Sequence, residues 1–331
     1  MSRQIVIVSP ALANANNGNQ QTARRWQILL QSVPATKGHA DARPLNVRIV
    51  NQWPDGPLAD RDDCMLALHA RRSAPSIAQW AQRHGKALAV VLTGTDLYRD
   101  INTDIQAQTS LQLAQRLVLL QELGTQALPA PLRARSTVIF QSTSARMPLP
   151  KPKRFFKALM VGHLREEKSP DTLFSAARLL TSQDAIHIDH IGAPLDAALA
   201  VQAQDTARDC PHYRWLGGLA HESTRKHIQR AHLLVHASRM EGGAHVVMEA
   251  VRCGTPVLAS RIPGNIGMLG SDYAGYFDWG HADQLVDLLK RCHTDAAFYA
   301  HLQAQCAARA PLFAVETERE KLRQLVDDLL A

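Results

Sequence analysis

Residues 238–260 read SRMEGGAHVVMEAVRCGTPVLAS. Two carboxylates, Glu241 and Glu249, flank a glycine pair, Gly242 and Gly243, that opens an apolar helical pattern near Ala244. Glycines let backbone N–H groups approach a ligand without side-chain obstruction, and a helix start aims its positive end at the same place. An anionic diphosphate suits such a turn. Gly254 stops the helix, and TPVLAS (255–260) follows as a short apolar run, so the unit reads turn, helix, turn, strand. That is one half of a parallel α/β layer.

The same alternation runs outward in both directions. QIVIV (4–8), LNVRIV (45–50), CMLAL (64–68), ALAVVL (87–92) and STVIF (136–140) are short apolar runs separated by helical patterns. This predicts parallel strands covered by helices. ARMPLPKPKRFF (145–156) breaks the rhythm with three prolines and four basic residues, the signature of a linker. KALMVG (157–162), AIHIDHIG (185–192), HLLVHAS (232–238) and TPVLAS then restart it. We therefore expect a first Rossmann-like domain over 1–150, a second over 151–314, and a terminal helix over 315–331. That helix carries Leu322, Leu325, Val326 and Leu329 on one face and is expected to pack back on the first domain. Ligands of open α/β sheets bind beyond the carboxyl ends of the strands, which places the expected cleft between the two sheets.

At 331 residues, 46% hydrophobic and 20% charged, the chain has material for two ordinary cores. Its net charge of +7 fits nucleic acid, an acidic membrane surface or anionic small molecules alike. Aromatics make up 5% and the basic residues are scattered apart from Lys151, Lys153, Arg154 and Lys157, poor material for stacking bases. Nucleic acid is disfavoured. The five cysteines are widely spaced with no CxxC pair, MSRQIVIVSP enters a strand directly, and no segment approaches a membrane span. These features predict buried free thiols in a soluble, cytoplasmic protein without stable membrane insertion.

Three further stretches hold candidate chemistry. In VGHLREEKSP (161–170) a strand ends at Gly162, a loop carries His163, Arg165 and Lys168, and a helix begins near Pro170. Arg grips phosphate oxygens in pairs and Lys acts as a point charge, so the two could neutralise a departing nucleoside diphosphate. The alternative is a solvated loop in which they pair with Glu166 and Glu167. Glu249, inside the helix, could accept from both ribose hydroxyls, while Glu241, in the loop before it, could hold sugar hydroxyls. In SPALANANNGNQQTARRW (9–26), Asn17, Gly18, Asn19 and Thr22 offer compact polar groups for a small anionic acceptor, or cap their own loop. ALHARRS (67–73) brings His69, Arg71 and Arg72 to the same rim, and LTGTDLYRD (92–100) closes the fourth strand with Thr93 and Asp96. HIDH (187–190) reads as an ordinary strand, since only His187 and Asp189 share a face. No acidic metal motif stands at a strand end, so neither a metal nor another cofactor is expected.

VGHLREEK (161–168), IGAPLD (191–196), WLGG (215–218) and EGGAHVVMEAVRCGTPVLAS (241–260) resemble, in order and spacing, the donor domain of retaining GT-B glycosyltransferases of the family-4 type. The resemblance implies an α/β fold of GT-B architecture, two doubly wound domains facing across a cleft, and a UDP-sugar donor. By position Lys168, Glu241 and Glu249 match the family's lysine and its Glu-x7-Glu signature, and Gly242, Gly243 and Ala244 match its diphosphate loop. His163 stands where the family has arginine, so Arg165 is expected to supply the missing charge. Thr93 likewise replaces the histidine that family members carry in the turn after the fourth strand. An already ionised acceptor would need no general base there.

TGTDLYRDI (93–101), ALHARRSA (67–74) and GHLREEKSP (162–170) extend the likeness to a narrower group, the selenosugar synthases of selenoneine biosynthesis. That group implies transfer of glucose or N-acetylglucosamine from UDP-Glc or UDP-GlcNAc to selenophosphate, forming a carbon–selenium bond. Two alternatives stand beside it. One is a UDP-sugar-dependent glycosyltransferase acting on a lipid, polysaccharide or other small molecule; the helical pattern QTSLQLAQRLVLLQEL (108–123), with its single arginine, is unlike a basic membrane helix and favours a soluble acceptor. The other is a non-catalytic nucleotide-sugar binding protein, against which Lys168 and both glutamates count. A dinucleotide-dependent oxidoreductase would need GxGxxG after the first strand, which the sequence lacks.

Overall fold

The computed structural model describes residues 3–10, 18–32 and 45–331. Apolar runs of about five residues, too short for helices, become central strands wherever helices cover both of their faces. In the first unit these are β1 (Arg3–Val8), β2 (Leu45–Val50), β3 (Cys64–Leu68), β4 (Leu88–Leu92), β5 (Arg116–Leu119) and β6 (Ser136–Val138), all parallel in the order β2-β1-β3-β4-β5-β6. Side-chain alternation along β1 feeds two cores: Val6 and Val8 pack with Met65, Ala67 and Trp80 on one face, Ile5 and Ile7 with Trp26, Leu66 and Leu68 on the other.

The second unit repeats the plan with β7 (Phe156–Val161), β8 (Ile186–Ile191), β9 (Tyr213–Trp215), β10 (Leu233–His236), β11 (Val257–Ser260) and β12 (Tyr276–Phe277). Their order is β12-β11-β10-β7-β8-β9, again all parallel. Each unit is thus an α/β layer of six parallel strands, the two-domain plan the sequence predicts.

The two compact units are Met1–Gln141 with Val315–Ala331, and Ser142–Ala314. The division thus precedes the proline-rich stretch. Residues 143–149 belong with the second unit because their backbone bonds there: Thr143 N–H to Phe313 O, Arg146 N–H to Arg252 O and Leu149 N–H to Gln229 O. The terminal helix Val315–Leu330 sits in the core of the first unit, where Leu322, Leu325, Val326 and Leu329 pack against Trp26 and Leu30.

The stretch 108–123 departs from its helical reading. A helix covers Ile105–Leu113, the chain is extended at Ala114, and Arg116–Leu119 forms β5 between β4 and β6. Ladder bonds on both sides outweigh the helical spacing of its leucines. Among the described residues no helix is long and apolar enough to cross a membrane. All five cysteines are buried free thiols. In HIDH, Asp189 pairs with Lys157 and Arg214, both at 2.7 Å, and His190 lies between Tyr213 Oη and Gly162 O, so the segment is strand structure throughout.

Candidate active site

The ends of β7 and β10 carry the first half of the site. Beyond β7 a short turn, Glu166–Lys168, leads into the helix Pro170–Leu179 through Ser169. Ser169 has φ of 44°, a left-handed conformation that costs a non-glycine residue roughly 1–2 kcal/mol. Its Oγ accepts from the Trp279 indole N–H at 2.9 Å, a bond that steadies the turn holding Lys168. Beyond β10 the chain runs through Ser238 and Arg239 to Glu241. Arg239 clips this loop to the β7 turn, its N–H donating to Glu167 O at 3.0 Å and its guanidinium meeting Glu166 at 2.6 Å.

The clip brings Lys168 Nζ to 2.5 Å from Glu241 Oε1. His236, the last residue of β10, places Nε2 3.4 Å from the same oxygen. Burial opposes ionisation of Glu241, but Lys168 and His236 outweigh it and hold the carboxyl well below the ordinary glutamate range. Gly264 completes the packing from behind. It lies near the start of the helix Pro263–Leu269, where an added Cβ would sit 2.1 Å from Glu241 O.

Glu249 forms the second half. It lies on the helix His245–Val251, 4% exposed, and its Oε1 accepts from His221 Nε2 at 2.6 Å. Arg225 Nε at 3.8 Å and His245 Nε2 at 3.7 Å face the same oxygen. Burial again opposes the charge; the His221 bond and the flanking cations prevail and lower the carboxyl's pKa. His221, His245 and Glu249 have donor atoms within 4.8 Å of one another, close enough to share a cation, although Arg225 already supplies positive charge at that oxygen. These two carboxylate centres, one beside a lysine and one beneath half-exposed nitrogen donors, can bind a polyhydroxylated anion.

A family model described as glycosyl transferases group 1 matches residues 141–311, more than half of the chain. The chain is a group 1 glycosyltransferase. Solved structures agree with its fold. Sucrose-phosphate synthase from Thermosynechococcus elongatus matches with a TM-score of 0.74 at 17% identity, over 99% of both chains. Anabaena HepE, in complex with UDP and glucose, matches with a TM-score of 0.73 at 16% identity, over 99% of this chain and 100% of that one. S. aureus TarM matches with a TM-score of 0.62 at 15% identity over 80% of this chain, which spans 56% of TarM's length.

Several expected ligand groups of this glycosyltransferase are already engaged. Arg165 is half exposed and faces Glu167 at 3.9 Å, the solvated-loop arrangement, rather than joining Lys168 and Glu241. His163 Nδ1 accepts from Ala193 N–H at 3.0 Å and so ties the β7 loop to the β8 loop; burial, Arg165 and Lys168 all lower its pKa. The Ala244 N–H donates to Met268 Sδ at 3.1 Å, which corrects the expectation that it is free for a diphosphate. Gly242 is buried and Gly243 partly exposed.

On the first unit, Asp96 is not open to an acceptor. It is wholly buried, and its carboxylate accepts from the N–H groups of Ala70, Thr93 and Gly94 at 2.9, 2.8 and 2.9 Å, stapling the ends of β3 and β4 together. Thr22 is also buried: its Oγ1 donates to Gly18 O at 2.8 Å and accepts from Gln141 Nε2. Gly18 and Asn19 begin the helix Gly18–Gln31 at the surface; Asn17 lies outside the described residues. Arg71 is half exposed, bound to Asp104 at 2.9 Å with Asp100 at 4.0 Å. His69 has φ of 74° at the end of β3, and its Nε2 lies 3.2 Å from Thr95 Oγ1. Thr93 is partly buried beside it.

Sequence reasoning missed His221, Arg225, His236 and Gly264. HESTRKHIQR (221–230) reads as an ordinary polar helix, and a histidine ending a buried strand reads as a packed core residue. The partners of His221, Arg225 and Gly264 lie on other elements, and His236 meets Glu241 only through the fold of the loop after β10, so no spacing rule reaches them.

Proposed function

We propose that this glycosyltransferase moves glucose or N-acetylglucosamine from a UDP-sugar to selenophosphate. On the donor side Lys168 neutralises the departing diphosphate, Glu241 orients the sugar hydroxyls, and Glu249 accepts from the ribose. UDP bound to HepE, a protein of the same fold, supports the nucleotide assignment. Charge on the leaving group is met by Lys168 and by the amides of Gly242 and Gly243, so the reading calls for no metal.

The observation that carries the acceptor class is the Thr93–Asp96 turn. Among the described residues the Asp96 carboxylate accepts from Ala70, Thr93 and Gly94, His69 beside it is 3% exposed with Nε2 engaged by Thr95 Oγ1 at 3.2 Å, and Thr93 itself cannot serve as a base at neutral pH. A nucleophile that is already ionised has no proton to give up, and selenophosphate is such a species. The bond from the anomeric carbon to UDP oxygen breaks as the bond to selenium forms; water then cleaves selenium from phosphorus and releases phosphate. Arg71, half exposed in the segment that follows β3, is assigned to the acceptor's phosphate.

The test is UDP release by the purified protein with UDP-GlcNAc or UDP-Glc, with and without selenophosphate. We expect release that depends on selenophosphate and yields phosphate in equal amount. Release driven only by another small acceptor or a lipid would refute the selenium assignment and keep the transferase.

A further inference from the structure

His236 is a titratable group at the donor centre that the reading above does not use. It is 2% exposed, and no group among the described residues makes a well-formed hydrogen bond to its Nε2. The 3.4 Å separation from Glu241 Oε1 is an ion-pair contact. The charged groups facing it are Glu241, from the loop after β10, and Lys168, from the turn after β7. β11 and the helix Pro263–Leu269 bring Ser260 and Asn265, which do not titrate.

Lys168 balances Glu241 at 2.5 Å. A nucleotide sugar brings a diphosphate that competes for the same ammonium, and a carboxylate this enclosed is strongly disfavoured once its cation is drawn away. We propose that His236 takes up a proton when the nucleotide sugar binds, and so holds Glu241 in place while Lys168 serves the diphosphate. His236 is then a positioning residue, and the inference rests on the donor-site reading of Lys168 and Glu241.

The direction follows from the charges. Burial and Lys168 keep the free imidazole below its ordinary range, opposed by Glu241. Drawing Lys168 toward a dianion removes one repulsive charge from the imidazole and adds two attractive ones. The neutral imidazole, already bearing a proton on one nitrogen, gains a second from solvent, and the His236–Glu241 pair passes from one negative charge to none. Donor affinity must therefore rise as pH falls, by up to about tenfold per pH unit where a whole proton is taken.

Titration calorimetry of UDP-GlcNAc, with UDP-Glc as the second donor, in two phosphate-free buffers of different ionisation heat (MES and Bis-Tris at the acid end, HEPES and Tris at the alkaline end) tests this, because the buffer dependence of the heat counts protons. A UDP-sugar has no phosphate oxygen that titrates near neutrality. We expect uptake approaching one proton per donor below the bound imidazole's pKa and fading as pH rises through it. H236Q should bind donor with a flat pH profile, and K168M, whose Glu241 already lacks its cation, should bind more weakly and take up no proton. His221 would give the opposite sign on losing Glu249 to the ribose, so H221Q should keep or increase the uptake. Donor binding without uptake, or equal uptake in folded H236Q, overturns the proton role and leaves the donor site standing. No binding of either UDP-sugar overturns both.

Discussion

At the residue scale, the site turns on what surrounds two carboxylates. Glu241 and Glu249 are both buried or nearly so, and both stay ionised because cations and imidazoles face them. The sign for stability follows. A carboxyl whose folded pKa is depressed stabilises the fold above its unfolded value, near 4.5, and loses that contribution as pH falls through the folded value. E249Q keeps the shape but removes the charge. We expect it to weaken UDP-sugar binding by about ten- to a hundredfold, the loss of a charged acceptor at a hydrogen-bonded site, and to flatten the acid side of the stability profile below pH 4.5. Binding isotherms and urea midpoints at pH 3–6 would check both. An unchanged affinity would remove Glu249 from the nucleotide site.

Legibility at this scale was uneven. Glu241, Glu249 and Lys168 could be picked out because a glycine pair, a helix start and a strand end mark them along the chain. Asp96 and Thr22 carry equally polar side chains at equally plausible loop positions, yet they are structural staples, because what a carboxylate or hydroxyl does depends on which N–H groups reach it. Those N–H groups belong to Ala70 and Gly94 in one case, and the competing amide of Gln141 in the other.

At the scale of elements, the Glu241 centre is built by three loops held to one another: the β7 turn, the β10 loop and the start of the helix Pro263–Leu269. Arg239 bridges the first two, and Gly264 allows the third to touch Glu241 O. G264A would place a methyl group 2.1 Å from that carbonyl, a contact that one backbone or the other must yield to. We expect a loss of about 1–3 kcal/mol in stability, with a fall in transferase turnover larger than in an alanine variant of the exposed Gly18. Thermal melts and initial rates would test it; unchanged turnover would mean the Glu241 loop tolerates displacement. Elements also show why β5, β9 and β12 escaped the apolar-run reading. β9 and β12 span three and two residues, too few to print a period, and the leucines of β5 fit a helix as well as a strand.

At the scale of the whole molecule, the chain returns to its first unit at the end. The helix Val315–Leu330 closes one face of that core, and Glu318, fully buried, binds the Arg25 guanidinium at 2.9 Å and the Trp26 indole N–H at 2.7 Å. The first unit therefore cannot complete its core until the helix Val315–Leu330 is made. E318A leaves a cation and an indole N–H without their acceptor, which we expect to cost about 3–5 kcal/mol, read as a lower urea midpoint at pH 7. A loss under 1 kcal/mol would show that the terminal helix is held by its leucines alone.

By itself the sequence determined the layered plan, since five-residue apolar runs separated by helical patterns can bury their faces only in parallel sheets covered by helices. It also marked the Glu241–Glu249 turn as a candidate site, because glycines, a helix start and acids at fixed spacing act locally. The tertiary structure decided which polar groups are open and which are engaged: Lys168 against Glu241, His221 against Glu249, Asp96 consumed by three amides, His236 beneath the donor loop. Lys168–Glu241, His221–Glu249 and Asp96–Ala70 join residues 73, 28 and 26 positions apart, and only the folded chain brings them within the few ångströms at which charge and hydrogen bonding act.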